Sequence, residues 1–377
     1  MCSWKATSAS PTPMARAIEL ARLGRGAVAP NPCVGAVLVD GDRIVAEGWH
    51  MRYGGLHAER ECLVDARSKG VTPRGLTMFV TLEPCNHHGK TPPCTQALIE
   101  EGVARVVVGT RDPNPVAAGG IERLTAAGIE VEVGALESEC RDLIADFLVW
   151  QNSHSTFNII KMAATLDGKI ASRLRRPEPV SCAESFARVH ALRSRVDAII
   201  VGGSTFRADD PSLTCRLTTL PDGFVQPYGV VITSRLPDDP ARHVLTRTRP
   251  ERTIFMTTDT SARSQEADRL REGGTSVWPL PGPPGGLNLS LGLERLRYDL
   301  GCHTTLCEGG GQLAMQFVGQ GLGDEIVHFV APRILGDEGA PSAYSGRQGV
   351  TMAQTLNYRI IDMHPSGSDI MLTLRPR

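Results

Sequence analysis

Apolar residues along the chain follow two alternating spacings, one typical of β-strands and the other of α-helices. Short, nearly continuous apolar runs such as 34–39 and 106–108 predict buried strands. Stretches with helical apolar spacing, such as 58–66, predict amphipathic helices. Strands are predicted at 34–39, 44–46, 78–81, 106–108, 129–133, 158–160, 198–201, 230–232, 254–256, 304–306 and 326–330, and helices at 14–23, 58–66, 95–101, 121–127, 137–150 and 313–317. Strands that alternate with helices indicate layered α/β sheets.

The alternation is interrupted at the polar segment 151–156, which has no periodicity. Domain boundaries commonly fall in segments of this kind. We therefore predict two α/β domains, at 14–150 and 157–377, preceded by a flexible tail rich in Ser, Thr and Pro at 1–13. A chain of 377 residues is long enough for two domains of ordinary size.

The composition is that of a globular protein with balanced charge. Hydrophobic residues make up 41% of the chain and charged residues 21%, as in domains with a packed core. The 40 Lys and Arg residues are matched by 41 Asp and Glu residues, which argues against a nucleic-acid-binding protein. No apolar run is long enough to span a bilayer, and residues 1–13 lack the apolar core of a secretion signal. We therefore expect a cytoplasmic protein with reduced thiols, in which clustered cysteines are candidate metal ligands.

Three potential metal ligands occur in the first half of the chain. His57 begins the tripeptide His57-Ala58-Glu59, and Cys85 and Cys94 follow later. One imidazole and two thiolates predict a zinc site with a fourth position open to water, as in catalytic zinc sites. Glu59 would take a proton from that water and return it to a leaving amine. Helices that begin after His57 and at Cys94 would direct their positive ends towards the thiolates.

The order of these residues matches the zinc-deaminase signature, H-x-E followed by P-C-x-x-C, with one difference. Eight residues, not two, separate Cys85 from Cys94. The inserted segment carries His87, His88 and Lys90, whose cationic or hydrogen-bonding groups suit a phosphate-bearing substrate. Taken singly, an H-x-E tripeptide is common by chance and a free cysteine is often a core residue. The prediction therefore depends on their joint occurrence in this order.

Two further polar residues could reach the same pocket. Asn31 lies ahead of the first predicted strand, and His50 follows the second. Asn31 is flanked by Pro30 and Pro32, and Asn-Pro is also a common turn signal, so a purely structural role for Asn31 stays open.

The second half has no G-x-G-x-x-G motif, so a Rossmann dinucleotide site is not indicated. It does have the run Glu308-Gly309-Gly310-Gly311 between a predicted strand and a predicted helix. Glycines at the start of a helix let backbone N–H groups approach a phosphate closely. An ordinary strand-to-helix turn would have the same composition, and the glycines alone do not separate the two interpretations.

Longer motifs in both halves resemble one family, the bifunctional riboflavin-biosynthesis deaminase-reductases. The similarity extends from about residue 14 to the end of the chain, and the segment 81–94 with its eight-residue spacer is highly specific. The motifs that carry the resemblance are Asn31-Pro-Cys-Val-Gly35, His57-Ala-Glu59, Thr81-Leu-Glu-Pro-Cys-Asn-His-His-Gly-Lys-Thr-Pro-Pro-Cys94, Asp112-Pro-Asn-Pro115, Lys161-Met-Ala-Ala-Thr-Leu-Asp-Gly168, Thr205-Phe-Arg-Ala-Asp-Asp-Pro-Ser-Leu-Thr214 and Glu308-Gly-Gly-Gly311.

The resemblance implies a cytidine-deaminase-like three-layer domain followed by a dihydrofolate-reductase-like domain. It implies zinc-dependent removal of the C2 amino group from 2,5-diamino-6-ribosylamino-4(3H)-pyrimidinone 5′-phosphate, and then NADPH-dependent reduction of the ribosyl group to a ribityl chain. The expected cofactors are Zn²⁺ and NADPH. The expected partner is this small pyrimidine phosphate, with no nucleic acid and no membrane, and we expect a homo-oligomer.

The resemblance also implies the residues of each site. His57, Cys85 and Cys94 would bind zinc, and Glu59 would move protons. The other implied contacts are Asn31, His50, His87 and Lys90 with the pyrimidine phosphate, Ala163, Thr205, Asp209, Ser234, Gly310, Gly311 and Gln312 with NADPH, and Arg193, Leu213, Arg216 and Glu308 with the substrate of the reductase.

The second half also departs from the family pattern. Pro177 and Pro179 replace a hydroxyl donor and an aromatic ring, Phe186 replaces a common arginine, and Thr233 replaces the usual aspartate. The two prolines would also stiffen their loop. One alternative hypothesis is therefore an active deaminase joined to a weak or altered reductase in a related specialised pathway. Two others are a nucleic-acid-editing deaminase, which the balanced charge opposes, and a non-catalytic zinc-stabilised module, which Glu59 opposes.

Overall fold

The computed structural model describes residues 11–88, 92–174, 178–220, 223–282 and 286–377. Within these ranges the chain divides into two compact units between Asn152 and Ser153. None of the helices in the described part of the chain combines the length and the apolar composition that crossing a bilayer requires.

The first unit alternates helices and strands. Its elements are α1 (Pro13–Arg22), β1 (Gly35–Asp40), β2 (Arg43–Trp49), α2 (Ala58–Ser68), β3 (Thr77–Leu82), α3 (Cys94–Glu101), β4 (Arg105–Thr110), α4 (Gly120–Ala126), β5 (Glu130–Val133), α5 (Glu137–Leu143) and α6 (Ala145–Asn152). The strands form a mixed sheet in the order β2-β1-β3-β4-β5. Strands β3, β4 and β5 run parallel, whereas β1 is antiparallel to both of its neighbours.

Helices cover both faces of this sheet. A Cβ added to Gly35 would lie 2.0 Å from the Ala17 carbonyl oxygen of α1, and one added to Gly48 would lie 2.2 Å from the Cys62 nitrogen of α2. Gly35 pairs with Trp49, the neighbour of Gly48, so the two glycines face opposite sides of the sheet. The absence of side chains at both positions lets α1 and α2 approach the sheet from opposite sides. The first unit therefore has the predicted three layers, with the sheet between helices on its two faces.

Specific residues explain where two of the predicted elements begin or turn. The hairpin between β1 and β2 turns at Gly41, which adopts φ 57°, a conformation that glycine adopts without strain. Helix α1 begins at Pro13, one residue earlier than expected, because Thr12 caps it and proline suits the first helical position. Most of the predicted tail at 1–13 lies outside the described residues.

The single helix predicted at 137–150 is wrong. The backbone leaves the helical conformation at Ile144 (φ −107°, ψ 21°), so α5 and α6 are separate helices. Ile144 is buried together with Leu143 and Phe147. The break thus allows apolar residues of both short helices to reach the core.

The second unit is built on a larger sheet. Its elements are β6 (Phe157–Thr165), α7 (Ala183–Arg193), β7 (Ala198–Gly202), α8 (Gly203–Asp209), β8 (Tyr228–Ile232), α9 (Val244–Thr248), β9 (Thr253–Thr257), α10 (Gln265–Glu272), β10 (Ser276–Pro279), α11 (Leu289–Leu300), β11 (Thr304–Cys307), α12 (Gly311–Gly319), β12 (Glu325–Ala331), β13 (Tyr358–Ser366) and β14 (Asp369–Pro376). The strand order is β10-β9-β8-β7-β11-β6-β12-β14-β13. Strands from β10 to β12 in this order run parallel, and β14 and β13 complete the sheet in antiparallel orientation.

The direction of the parallel strands indicates where a ligand-binding site can form in this unit. Their carboxyl ends lie along one edge of the sheet, which is where ligands bind in open α/β sheets. Apolar residues of β6, β7, β8 and β9 pack together with those of α11 and α12 in one hydrophobic core. Apolar spacing did not predict β10, β13, β14 or helices α7 to α11. Strand β13, for example, is half-exposed along most of its length and lacks a regular apolar pattern.

Candidate functional site

The three predicted metal ligands meet at the starts of two helices. His57 is the N-cap residue of α2, and Cys94 is the first residue of α3. Cys85 lies in the loop after β3, and its carbonyl oxygen accepts a hydrogen bond from the backbone N–H of Thr95 (3.3 Å). Both predicted helix starts are therefore confirmed, and the strand end and the two helix ends bring the three side chains to one place.

The separations within this triad fit a zinc ion. Nδ1 of His57 is 3.5 Å from the Sγ atoms of both Cys85 and Cys94, and all ligand atoms lie within 4.8 Å of one another. Ligands at tetrahedral angles and normal zinc distances would place nitrogen and sulfur about 3.6 Å apart. Both nitrogen–sulfur separations therefore suit a zinc ion held between these donors. In the described part of the chain, no other group of His, Cys, Asp or Glu side chains has this geometry.

The surroundings of the triad stabilise negative charge on the sulfur of Cys85, whereas the hydrogen bond with Cys85 and burial raise the pKa of the Cys94 thiol. The backbone N–H of Cys94 donates to Sγ of Cys85 (3.4 Å). Hydrogen bonds from Cys94 and His57 lower the pKa of the Cys85 thiol well below its ordinary value. Thiolate is the form that binds metal.

Glu59 lies in the first turn of α2, two residues after His57, and is only 3% exposed. Burial raises the pKa of Glu59 to about 7. A carboxyl group that titrates near neutral pH can both accept and return a proton, which is what a general acid–base group requires. Glu59 faces the same cavity as His57 and Cys85.

That cavity has a volume of about 220 Å³ and is lined by residues of the first unit. Its walls combine two of the candidate metal ligands, His57 and Cys85, with polar and apolar groups. The lining residues are Asn31, Pro32, Val34, His50, Tyr53, Gly54, Gly55, His57, Glu59, Leu82, Glu83, Cys85, His87, Asp112, Asn114, Ala117 and Phe147.

Asn31 and His50, both predicted from the sequence, are hydrogen-bonded to each other in the cavity wall. Nδ1 of His50 donates to the Leu56 carbonyl oxygen (2.8 Å), so Nε2 accepts from Nδ2 of Asn31 (3.1 Å). Burial lowers the pKa of His50, which keeps the imidazole neutral and this arrangement fixed. The side-chain amide of Asn31 is thereby oriented before a ligand arrives.

His87 also lines the cavity, as the spacer predicted. Its Nδ1 is buried and has no hydrogen-bond partner among the described residues. A buried polar atom of this kind is costly unless a ligand satisfies it. His88 is exposed, and Lys90 lies outside the described residues.

The cavity includes residues to which the sequence analysis gave no role. Asp112 and Asn114 belong to a motif that was noticed only for the family resemblance, and burial raises the pKa of Asp112 to about 6. Glu83 is buried, and its Oε1 accepts hydrogen bonds from the backbone N–H groups of Gly119, Gly120 and Ile121 at 2.8–3.2 Å. Glu83 thus fixes the loop before α4 and, through the Asp112 N–H (3.2 Å), the loop after β4.

In the second unit, the residues predicted to bind NADPH lie along the carboxyl edge of the parallel sheet. Ala163 is near the end of β6, Thr205 is in α8 after β7, and Ser234 follows β8. Gly310 caps α12 after β11, and a Cβ at Gly310 would lie 3.6 Å from Oγ1 of Thr205. The loops after β7 and β11 are therefore adjacent.

Exposure differs among these residues. Asp209, Ser234 and Gln312 are exposed, whereas Gly311 is buried. A Cβ at Gly311 would lie 2.0 Å from the Ser342 carbonyl oxygen, so glycine is required there by packing. At Gly310 the backbone is open, which suits close approach of a phosphate to the start of α12.

Two of the residues predicted to contact the reductase substrate, Arg193 and Glu308, form a buried ion pair. Arg193 forms a bidentate pair with Glu308 (Nε–Oε1 2.6 Å, Nη2–Oε2 3.0 Å), and Nζ of Lys161 is 3.6 Å from the same carboxylate. Burial alone would raise the pKa of Glu308, but Lys161 and Arg193 hold it below its ordinary value. The Lys161 contact was not predicted, although the residue opens one of the quoted motifs.

Arg216 and Leu213 lie beside this pair. Arg216 is exposed, and its backbone N–H donates to Nδ1 of His190 (3.2 Å) on α7, the helix that also carries Arg193. Leu213 is buried with φ 46°, a conformation rare for leucine and typical of functional loops. Arg193 already donates to Glu308 and to the Thr214 carbonyl oxygen (2.9 Å), so Arg216 is the more accessible cation for a phosphate.

The positions that depart from the family pattern are only partly described. Pro177 lies outside the described residues. The carbonyl oxygen of Pro179 accepts from Arg333 (3.2 Å), Phe186 is 46% exposed on α7, and Oγ1 of Thr233 donates to the Arg235 carbonyl oxygen (2.9 Å). Thr233 thus supports the turn after β8.

Comparison with known protein families assigns both halves of the chain. Residues 9–110 match the model described as the cytidine and deoxycytidylate deaminase zinc-binding region, and residues 156–372 match the RibD C-terminal domain. The riboflavin biosynthesis protein RibD of Synechocystis sp. is 38% identical over 365 residues, which cover 96% of this chain and 95% of the relative. The chain belongs to the RibD family. Members of this family are bifunctional deaminases and reductases of riboflavin biosynthesis.

Solved RibD structures have the same fold. Acinetobacter baumannii RibD is 32% identical and has a TM-score of 0.75, with 97% of this chain and 98% of that chain covered. A Thermotoga maritima protein described as a diaminohydroxyphosphoribosylaminopyrimidine deaminase/5-amino-6-(5-phosphoribosylamino)uracil reductase is 34% identical, with the same TM-score and coverage. The predicted fold class and the predicted pair of activities are confirmed. Because the relatives match over both halves, the alternative of a related specialised pathway is not favoured.

Proposed function

We propose that this RibD family member deaminates 2,5-diamino-6-ribosylamino-4(3H)-pyrimidinone 5′-phosphate with residues 14–150 and reduces the product with residues 157–377. The observation that carries the proposal is the convergence of His57, Cys85 and Cys94 beside a cavity that is also lined by the buried residue Glu59. The substrate is the one implied by the sequence resemblance and by the description of the Thermotoga maritima relative.

His57, Cys85 and Cys94 would hold zinc, which when bound supplies a water molecule whose pKa is close to neutral. Glu59 would accept the proton that is released when water attacks C2 of the pyrimidine ring. It then donates a proton to the C2 amino group, which leaves as ammonia while a carbonyl forms at C2. The two helix N-termini and the Cys94 N–H stabilise the thiolate charge throughout.

The cavity polar groups would recognise the substrate. His87, with its unsatisfied buried Nδ1, together with Lys90 from the same spacer, would bind the phosphate. The oriented amide of Asn31, held by His50, would hydrogen-bond the pyrimidine or its ribose. Asp112, whose raised pKa lets it act as donor or acceptor near pH 6, faces the same cavity and would bind a polar edge of the ring.

For the reductase we propose NADPH as the cofactor, which when bound supplies a hydride. The open backbone at Gly310 and the start of α12, with Gly311 and Gln312, would hold its phosphates, and Ala163, Thr205, Asp209 and Ser234 would extend the site along the sheet edge. Opening of the ribose ring, in which the ring oxygen leaves C1 and takes up a proton, would leave a C1=N bond, and hydride addition to C1 would then give the ribityl chain. Glu308, Arg193, Leu213 and Arg216 would position this substrate. Zinc and NADPH as the cofactors, the homo-oligomeric state and the cytoplasmic location stay predictions.

The decisive experiment incubates the purified protein with the diamino-pyrimidine phosphate, with and without NADPH, and follows ammonia release and nicotinamide absorbance together. We expect stoichiometric ammonia without NADPH and an equal amount of NADPH oxidised when it is present. Treatment with a strong chelator should stop ammonia release from the first substrate and leave reduction of the isolated deaminated product unchanged. Ammonia release that survives complete zinc removal would overturn the deaminase proposal.

A further inference from the structure

Arg60 follows Glu59 on α2 and does not line the substrate cavity. Its guanidinium is half-buried, and Nη2 donates to the Pro93 carbonyl oxygen at 3.0 Å. Nε of Arg60 is buried with no hydrogen-bond partner among the described residues. A buried donor without a hydrogen-bond partner is costly, so a half-buried arginine that retains one beside a candidate metal site calls for a functional reason.

The contact ends on a peptide group that already belongs to the metal site. Pro93 is the N-cap residue of α3 and directly precedes Cys94. The N–H of this same Pro93–Cys94 peptide donates to Sγ of Cys85 at 3.4 Å. One peptide group therefore accepts a hydrogen bond from Arg60 at its oxygen and donates one to a candidate zinc ligand at its nitrogen.

We propose that Arg60 is a positioning residue of the metal centre. It fixes and polarises the Pro93–Cys94 peptide, whose N–H stabilises the Cys85 thiolate. The inference rests on the proposed zinc site and adds to it a residue outside the ligand set and outside the substrate cavity.

Two physical effects support this role. Arg60 links α2, which carries His57 and Glu59, to the residue just before Cys94, so it sets the distance between two segments that supply ligands. A positive charge at the carbonyl end of a peptide also strengthens hydrogen bonding by its N–H group, because bonds in a chain polarise one another. Partners beyond the ligands commonly change metal affinity by about 10- to 100-fold when they are removed.

A second arginine on the same helix provides a matched control. Arg67 forms an ion pair with Glu101 at the far end of α3, and its side chain is 62% exposed. Arg60 and Arg67 therefore both tie α2 to α3, but only Arg60 contacts the peptide next to Cys94. If Arg60 merely docked one helix on the other, the loss of Arg67 would have the same consequence.

The test compares full-length Arg60→Met, Arg60→Lys and Arg67→Met proteins with the unaltered protein. Zinc affinity is measured by competition with a chromophoric chelator, and the cobalt(II)-substituted proteins are examined by absorption spectroscopy. We expect Arg60→Met to weaken zinc binding about 10-fold and to shift the thiolate-to-cobalt charge-transfer band to longer wavelength. Arg60→Lys, which keeps one donor and the charge, should restore part of both properties, and Arg67→Met should change neither.

The proposal is overturned if Arg60→Met has the zinc affinity and cobalt spectrum of the unaltered protein, or if Arg67→Met weakens zinc binding as much. Should Arg60→Met fail to fold, Arg60→Gln decides, because it removes the charge, and a zinc affinity and cobalt spectrum identical to those of the unaltered protein would contradict the role. Absence of zinc binding in the unaltered protein would instead refute the proposed metal site itself, so the two failures are distinguishable.

Discussion

The candidate sites of the two halves differ in how far their side chains are buried and hydrogen-bonded. In the deaminase half, Glu59 and His50 are buried, and His50 already holds Asn31 by a hydrogen bond. In the reductase half, Asp209 and Ser234 lie exposed along the sheet edge. Among the candidate site residues that the structure describes in this half, Glu308 is comparably enclosed, together with Arg193 and Lys161.

The difference corresponds to the work each half performs. Moving protons on one small ring requires groups with fixed positions and adjusted pKa values, and burial provides both. Binding a long nucleotide requires an extended edge with accessible backbone, which parallel strands and a glycine-rich turn provide. Disruption of single side chains should therefore harm the deaminase most through chemistry, and the reductase most through its ion cluster and its backbone.

The largest expected effect is that of Glu59→Gln. The amide cannot accept the proton, so we expect ammonia release to fall by about 100- to 10,000-fold, with reduction of the deaminated product unchanged. Stopped-time ammonia assays and NADPH oxidation on the same preparation measure the two activities. Equal loss of both activities would show that the halves are not independent as the comparison requires.

The second effect concerns the ion cluster of the reductase half. Glu308→Gln leaves Arg193 and Lys161 without their shared carboxylate, and removing one partner of a buried pair costs about 3–5 kcal/mol. Hydrogen exchange of β11 and its neighbours should show this loss, while exchange in β3 and α2 stays unchanged. Asp337→Asn, which breaks the more exposed pair with Arg173, serves as the control and should leave exchange protection unaffected.

A third prediction contrasts two aspartates. Burial raises the pKa of Asp324, at the start of β12, from 3.8 to about 6. The pKa of Asp324 is higher in the folded than in the unfolded protein. The contribution of Asp324 to the free energy of unfolding is therefore fully present below about pH 4 and is lost as the pH rises through about 6. Asp324→Asn should therefore stabilise the protein by up to about 3 kcal/mol at pH 7.5 and have no effect near pH 4. Unfolding by denaturant at the two pH values measures this.

The counterpart in the deaminase half is Asp112, whose pKa is also raised to about 6 by burial. Asp112 faces the cavity, so Asp112→Asn should lower kcat/KM for deamination, whereas Asp324→Asn should leave both activities unchanged. Exposed Asp259 provides a control substitution to Asn. A stabilising effect of Asp324→Asn that is the same at both pH values would contradict the electrostatic explanation.

The smallest expected effect comes from alanine substitutions at Gly310 and Gly311, which distinguish a glycine needed for ligand access from one needed for packing. Gly310→Ala adds a Cβ that meets only Oγ1 of Thr205 at 3.6 Å, whereas Gly311→Ala places one 2.0 Å from the Ser342 carbonyl oxygen. We expect Gly310→Ala to weaken NADPH binding about 10-fold, or about 1.4 kcal/mol, with an unchanged Tm, and Gly311→Ala to lower the Tm. Calorimetric titration and thermal unfolding separate the two. Unchanged NADPH affinity in Gly310→Ala would argue against a phosphate at this turn.

Predictions from the sequence were most successful where the chemistry is local. His57 and Cys94 stand at helix starts because their neighbours have helical apolar spacing, and the hairpin at Gly41 follows from the turn signal. The apolar pattern failed at 137–150, where the backbone leaves the helical conformation at Ile144, and at β13, whose half-exposed residues give no regular spacing. It also gave no role to Asp112, although its motif was noticed.

The sequence by itself determined the kinds of groups and their order: one imidazole, two thiols and a carboxyl group in the first half, and a glycine-rich turn after a strand in the second. Only the tertiary structure decided which groups meet, such as Arg60 with the peptide next to Cys94, and Lys161 with Glu308. The physical reason is that spacing along a helix or strand fixes contacts only between near neighbours. Hydrogen bonds, burial and the resulting pKa values depend on segments far apart in the chain.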